Sequence, residues 1–255
     1  MSSLIANPLW FATRATGTIA LILLTAATAI GVGSARRYSP RALGRFEVAA
    51  LHRNISVLSL VFLGVHILTA LADSYVPLGW ISAVVPFASP YRTLWVGLGT
   101  VAFDLLLAVA LTSALRLRIG VRRWKAVHWL AYAAWPFALF HAAGTGTDTR
   151  LGPQLALYVL CVAVVVTACW RRLYAAGPDR LGARILAGAA AAALPVVLYA
   201  FLTSGPLAPG WSHRADAPGA ARRPPASAPG FASAAAAATG PQTGTAAGTG
   251  AGGRR

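Results

Sequence analysis

Six apolar stretches, each close to the length of a bilayer crossing, leave this chain few folds to choose from. A helix rises about 1.5 Å per residue, so a hydrocarbon core about 30 Å thick takes about 20 apolar residues to cross. Windows at 9–33, 54–72, 93–115, 126–144, 154–170 and 185–203 meet or approach that length. The fifth is short, and Trp170 to Tyr174 are expected to extend it into the interface, where aromatic rings are favoured. Pro136 and Pro195 are expected to interrupt the fourth and sixth. Only 11% of the residues are charged and the mean hydropathy is +0.63, whereas a soluble domain carries about 25% charged residues. A soluble globular enzyme is therefore excluded. The expected fold is all-α, a polytopic six-helix transmembrane bundle over residues 1–204. A tail of Ala, Gly, Pro, Ser and Thr follows at 205–255, cannot bury a core, and is expected to be disordered and dispensable.

The net charge of +16 does not indicate nucleic acid, because the basic residues sit in short runs between the apolar blocks. Arg36, Arg37, Arg41, Arg45 and Arg53 lie between the first two windows. Arg116, Arg118, Arg122, Arg123 and Lys125 lie between the third and fourth, and Arg171, Arg172, Arg180 and Arg184 between the fifth and sixth. Against these 14, the opposite side has Arg14, Arg92 and Arg150 before the tail. Lys and Arg concentrate in cytoplasmic loops, so both termini are expected outside the cytoplasmic membrane. Arg14 before the first window resembles the start of a signal peptide, but four arginines follow that window at once, and a cleaved signal is positive before its apolar core. The window is kept as a span. Cys161 and Cys169 are eight residues apart, about 12 Å on a helix; a disulfide needs Cα atoms within about 7 Å, so packing is their expected role.

Four of the five histidines fall in or at the ends of two spans: His52 and His66 on the second, His128 and His141 on the fourth. One histidine in a membrane helix often only bonds a neighbouring helix. Four in two pairs mark function, because ionisable groups at membrane depth are costly. The spacings of 14 and 13 residues are about 21 and 20 Å along a helix. The second and fourth spans run in the same direction, so His52 lies level with His128 and His66 with His141. Each level can supply two axial ligands to an iron held between helices. A compact zinc or copper site would want several ligands close together, which this spacing does not offer. Helical phase fits one helix better: 14 residues return to within about 40° of the same face, while 13 miss by about 140°. A kink at Pro136 is expected to absorb part of that offset.

The segment LHRNISVLSLVFLGVH, with LTSALRLRIGVRRWKAVHWLAYAAWPFALFH further on, resembles the ferric reductase-like transmembrane domain. That family includes the membrane parts of ferric reductases and NADPH oxidases and the heme subunit of bacterial methionine sulfoxide reductase systems. The resemblance covers about residues 10–203, and Trp124-Lys125-x-x-His128 and Leu130-x-Tyr132 also fit it. It implies two b-type hemes, an inner one ligated by His52 and His128 and an outer one by His66 and His141. It also implies electron transfer across the membrane.

Ferric reductases and NADPH oxidases continue into flavin and nicotinamide domains, and nothing in these 255 residues reads as either. The expected role is thus the heme-binding membrane subunit of an oxidoreductase. A separate flavoprotein reductase or quinol would be its donor, and a separate outer molecule its acceptor. The competing reading is a transporter for a metal ion or protons that uses the histidines in transit; it calls for broken helices or repeat symmetry at the midplane, and neither is visible in the sequence. Arg53, Arg123 and Lys125 are candidates to pair with heme propionates, although topology explains them equally well. Asp104, Arg14 and the GTGTDTR loop at 144–150 are weaker candidates, the loop as a docking surface beside the outer site.

Overall fold

A computed structural model describes residues 8–34, 44–73, 78–175 and 181–211. In chain order the helices are α1 (Pro8–Ser34), α2 (Arg45–Ala72), the short α3 (Ile81–Val84), α4 (Thr93–Ala114), α5 (Arg116–Ile119), α6 (Val121–His128), α7 (Ala131–Thr145), α8 (Gly152–Ala175) and α9 (Leu181–Ser204). No strand occurs among the described residues. The protein is an all-α, multi-pass membrane protein. Five helices, α1, α2, α4, α8 and α9, are long and apolar enough to cross a bilayer. Their outward faces carry Phe11, Val57, Val61, Leu68, Leu111 and Val197 in the open. That much apolar surface is untenable in water and is matched by lipid.

The fourth apolar window is built in two pieces, so five candidate crossings stand among the described residues where six helices are expected. α6 ends at His128 and α7 begins at Ala131. The break is not at Pro136, which lies inside α7, just as Pro195 lies inside α9. At the junction, Trp129 and Leu130 keep right-handed helical dihedrals. The amides of Leu130, Tyr132 and Ala133 instead bond carbonyls three residues back, at 2.9, 3.1 and 3.0 Å. This turn is 3-10 in character. Three residues per turn in place of 3.6 add about 20° of rotation per residue. The overwinding acts in the direction needed to bring His128 and His141 onto one face.

The core forms where α7 meets α1, α4 and α8. Trp135, Leu139, Leu21, Leu106, Tyr158 and Val162 are buried there. Small residues let the helices approach, and hydroxyl and indole groups join them, as is usual where lipid offers no hydrophobic drive between helices. Trp135 donates from Nε1 to the Thr25 hydroxyl at 2.9 Å. Tyr158 donates to the Ala142 carbonyl at 3.1 Å. The "basic end" is the one carrying α5, α6, the end of α8 and the start of α9, and the other is the "opposite end".

At the opposite end, the chain after α9 folds back in place of the expected disorder. Arg150 donates to the carbonyls of Pro206 (3.0 Å) and Ala208 (2.6 Å). The Trp211 ring lies 5.6 Å from Trp95 and 6.2 Å from Phe201. Packing therefore extends to Trp211; residues 212–255, with most of the predicted tail and His213, lie outside the described residues, as do Arg36, Arg37, Arg41 and Arg180. Truncation after Trp211 should leave thermal stability in detergent unchanged. Truncation after Ser204 should cost on the order of 1–3 kcal/mol, the scale of two charge-assisted hydrogen bonds and an aromatic cluster. Parallel thermal melts of the two truncations check this.

Candidate functional site

The antiparallel contact of α1 with α2 rests on two glycines. The interval from Gly17 to Gly31 equals that from His52 to His66, so antiparallel packing brings each glycine level with one histidine. A Cβ on Gly17 would stand 2.8 Å from the His66 ring, and one on Gly31 would stand 3.2 Å from the His52 ring. With no Cβ in the way, each imidazole reaches the α1 backbone. His66 Nδ1 lies 2.8 Å from the Thr13 carbonyl, and His52 Nδ1 lies 3.1 Å from the Ala27 carbonyl. In both cases the acceptor sits one helical turn before the glycine.

The same device recurs on α4 and α7. A Cβ on Gly99 would stand 2.5 Å from His141 Nδ1. His141 Nδ1 lies 2.8 Å from the carbonyl of Trp95, again one turn before the glycine. The two histidine-bearing helices therefore pack by a repeated rule that their sequences do not reveal. What recurs is a side-chain contact, and the break at Trp129–Leu130 lies next to His128 at the basic end.

All four predicted histidines are brought together in the predicted pairs. The ring centroids of His52 and His128 are 6.3 Å apart, with planes at 73°. Those of His66 and His141 are 6.2 Å apart, at 77°. A neutral imidazole that donates from Nδ1 to a carbonyl keeps its lone pair on Nε2, the arrangement of a metal-ligating histidine with its second partner in place. Three of the four rings have this arrangement. Among the described residues no three His, Cys, Asp or Glu side chains converge on one point; each level brings together two imidazoles.

A cavity of about 290 Å³ lies beside the His66–His141 pair, near the lower limit of ordinary ligand pockets, roughly 300–1,000 Å³. His66, His141, Leu106, Arg14, Asp148 and Tyr158 are among its lining. Arg14 is paired with Asp148 and its guanidinium lies 4.8 Å from the Trp10 ring centre. The 144–150 loop is thus structural at least in part: it ends in a 3-10 turn, Thr147–Arg150, with the Thr149 hydroxyl donating to the Ala143 carbonyl at 2.9 Å. Arg92 is buried, adopts a left-handed φ of 41°, and donates to the carbonyls of Gly144 (3.2 Å) and Thr145 (2.9 Å). It closes the end of α7 one turn beyond His141. Arg53, Arg123 and Lys125 are exposed at the basic end, and Asp104 is not among the cavity lining.

Residues 16–139 match the family described as ferric reductase like transmembrane component. Over that stretch the chain is similar to the ferric reductase-like transmembrane domain. The match contains His52, His66 and His128 and stops just short of His141, which the geometry adds to the set. The similarity supports a membrane electron-transfer component in general terms. No curated protein and no solved structure matches the chain.

Sequence reasoning misses the three glycines and their carbonyl acceptors. Their one signal is the interval that Gly17–Gly31 shares with His52–His66. Alanine at these glycines should destabilise in the order Gly99, Gly17, Gly31, following the 2.5, 2.8 and 3.2 Å approaches. Gly33→Ala and Gly64→Ala, where a Cβ meets nothing within 4 Å, should be neutral or slightly stabilising. Thermal unfolding of the five purified variants gives the ranking.

Proposed function

We propose that the protein is a transmembrane b-type cytochrome that carries electrons across the cytoplasmic membrane through two bis-histidine hemes to an external acceptor. His52 and His128 would be the axial iron ligands of the inner heme, and His66 and His141 those of the outer. The observation that carries this reading is the ring separation. An imidazole nitrogen bonds a first-row metal at about 2 Å and its ring centre lies about 1 Å behind, so two imidazoles on opposite sides of one metal would put their ring centres about 6 Å apart. The separations of 6.3 and 6.2 Å fit that at both levels. The Nδ1 contacts to Ala27, Thr13 and Trp95 support it further, because they fix the tautomer that ligates through Nε2.

Heme iron, cycling between ferric and ferrous, supplies a one-electron carrier at each level. The chain's own part is to hold the two ligand pairs about 20 Å apart along α2. It also fixes three of the four imidazoles against a neighbour helix and sets the outer pair beside the buried core around Leu139 and Tyr158. With the basic end cytoplasmic by the charge rule, both termini lie outside. In this orientation His52 and His128 would hold the carrier on the entry side, and His66 and His141 the one on the exit side. Outward transfer with the interior negative is favoured by about 2.3 kcal/mol per 100 mV. Donor and acceptor are separate molecules, a flavoprotein reductase or quinol within and an acceptor on the outer face.

Pyridine extraction of purified protein should give two non-covalent hemes per chain, since no CxxCH attachment motif occurs, and redox titration should give two steps. One heme with one step defeats the two-site assignment; none defeats the cytochrome. In oriented vesicles, His66→Ala or His141→Ala should abolish delivery to an outer acceptor while the inner site is still reduced from the cytoplasmic side. His52→Ala or His128→Ala should block entry from that side while an external reductant still reaches the outer site. Loss of all heme in all four variants would point to one shared site.

A further inference from the structure

The four histidines are not held alike. On α4, Gly99 faces His141, so the positions level with His128 lie further along that helix by the same interval that separates the two histidines, at Thr112 and Ser113. Neither is glycine. The carbonyls one turn back are also occupied: the Thr112 hydroxyl donates to Ala108 at 2.7 Å and lies 3.2 Å from the Val109 oxygen. His128 Nδ1 is buried and has no hydrogen-bond partner among the described residues. What lies against its ring is Trp124, one helical turn earlier on α6, with centroids 5.1 Å apart and planes at 37°. Trp124 in turn donates from Nε1 to the Ser113 hydroxyl at 3.1 Å.

We propose that Trp124, anchored on Ser113, is the positioning residue of His128, replacing the glycine-and-carbonyl cradle that holds the other three histidines, and that His128 is consequently the weakest electron donor among the four ligands. The inference rests on the two-heme reading above. Its chemistry is that of the outer partner of a ligating imidazole. A carbonyl accepting the Nδ1 proton makes Nε2 more basic, and loss of such a partner weakens metal binding by about 10–100-fold. An indole face fixes the plane of the ring but accepts no such proton. The inner site thus has one carbonyl-backed imidazole, His52, and one that is only oriented, His128. The outer site has two that are carbonyl-backed.

The test uses the purified full-length protein, with redox titration and low-temperature electron paramagnetic resonance of the oxidised state, whose low-spin signals report ligand-ring orientation. Trp124→Phe keeps a ring against His128 but removes the bond to Ser113, and Ser113→Ala removes it from the other side. Both should shift the signal of one site and leave the other as in the unmodified protein. Trp124→Leu should lower retention of that one heme about tenfold. Thr112→Gly frees the Ala108 and Val109 carbonyls and opens space beside them. It should move the same site to lower potential, as expected of a more basic ligand, and make it indifferent to Trp124→Phe. Unchanged signals in Trp124→Phe and Ser113→Ala, or equal changes at both sites, would overturn the proposal while leaving two hemes in place. An unmodified protein with no heme spectrum would overturn this proposal and the cytochrome together.

Discussion

The hydrogen bond from an imidazole to a helical carbonyl one turn before a glycine is the constraint that organises this bundle. In lipid a polar group without a partner costs several kcal/mol, so a histidine on a membrane helix is stabilised by an acceptor on a neighbour. Helical carbonyls are already engaged along the axis, but each has a second lone pair. An imidazole ring gains room to reach it where the neighbouring helix lacks a Cβ. Gly17, Gly31 and Gly99 meet that condition, and the carbonyls of Thr13, Ala27 and Trp95 are the acceptors. The packing of α1 on α2 and of α4 on α7 and the orientation of three imidazoles are therefore consequences of one contact.

Lengths and composition are enough to read the membrane class and five of the crossings, because an apolar run long enough to span a bilayer has few alternatives. The windows at 9–33 and 93–115 nearly coincide with α1 and α4. The fourth window reads as one helix kinked at Pro136, and that places the interruption wrongly. The structure breaks at Trp129–Leu130, where no glycine or proline marks the chain. The phase mismatch between His128 and His141 is the visible symptom in the sequence. A straight helix cannot present both to one direction, and the 3-10 turn between them supplies rotation in the sense that reduces the offset.

The histidines are legible because ionisable groups are rare in spans. Their supports are not, since glycine is common in membrane helices for ordinary packing. Only the antiparallel register, which pairs positions of α1 and α2 far apart in the chain, separates Gly17 and Gly31 from Gly33 and Gly64. Residues 205–211 read as part of the low-complexity tail for a similar reason. Their order depends on Arg150 and on the Trp95 and Phe201 rings, and neither Arg150 nor Trp95 is near Trp211 in sequence.

The two levels differ in how firmly the scaffold fixes them. At the opposite end, Arg92 closes α7 beyond His141, the Arg14–Asp148 pair joins α1 to the loop after α7, and Trp95 supports both His141 and the returning chain. His66 and His141 are thus tied to several elements at once. At the basic end, His128 is the last residue of a short helix whose residues are all at least partly exposed, and the 3-10 turn separates it from the core-packed α7. A ligand on such a helix can move with little disturbance to Trp135 and Leu139. In the proposed function, adjustment belongs at the end where a reductant must approach and depart, and rigidity at the end set within the core. The indole of Trp124 fits that division, because it orients His128 through a face contact and one hydroxyl without locking it to a second membrane helix backbone.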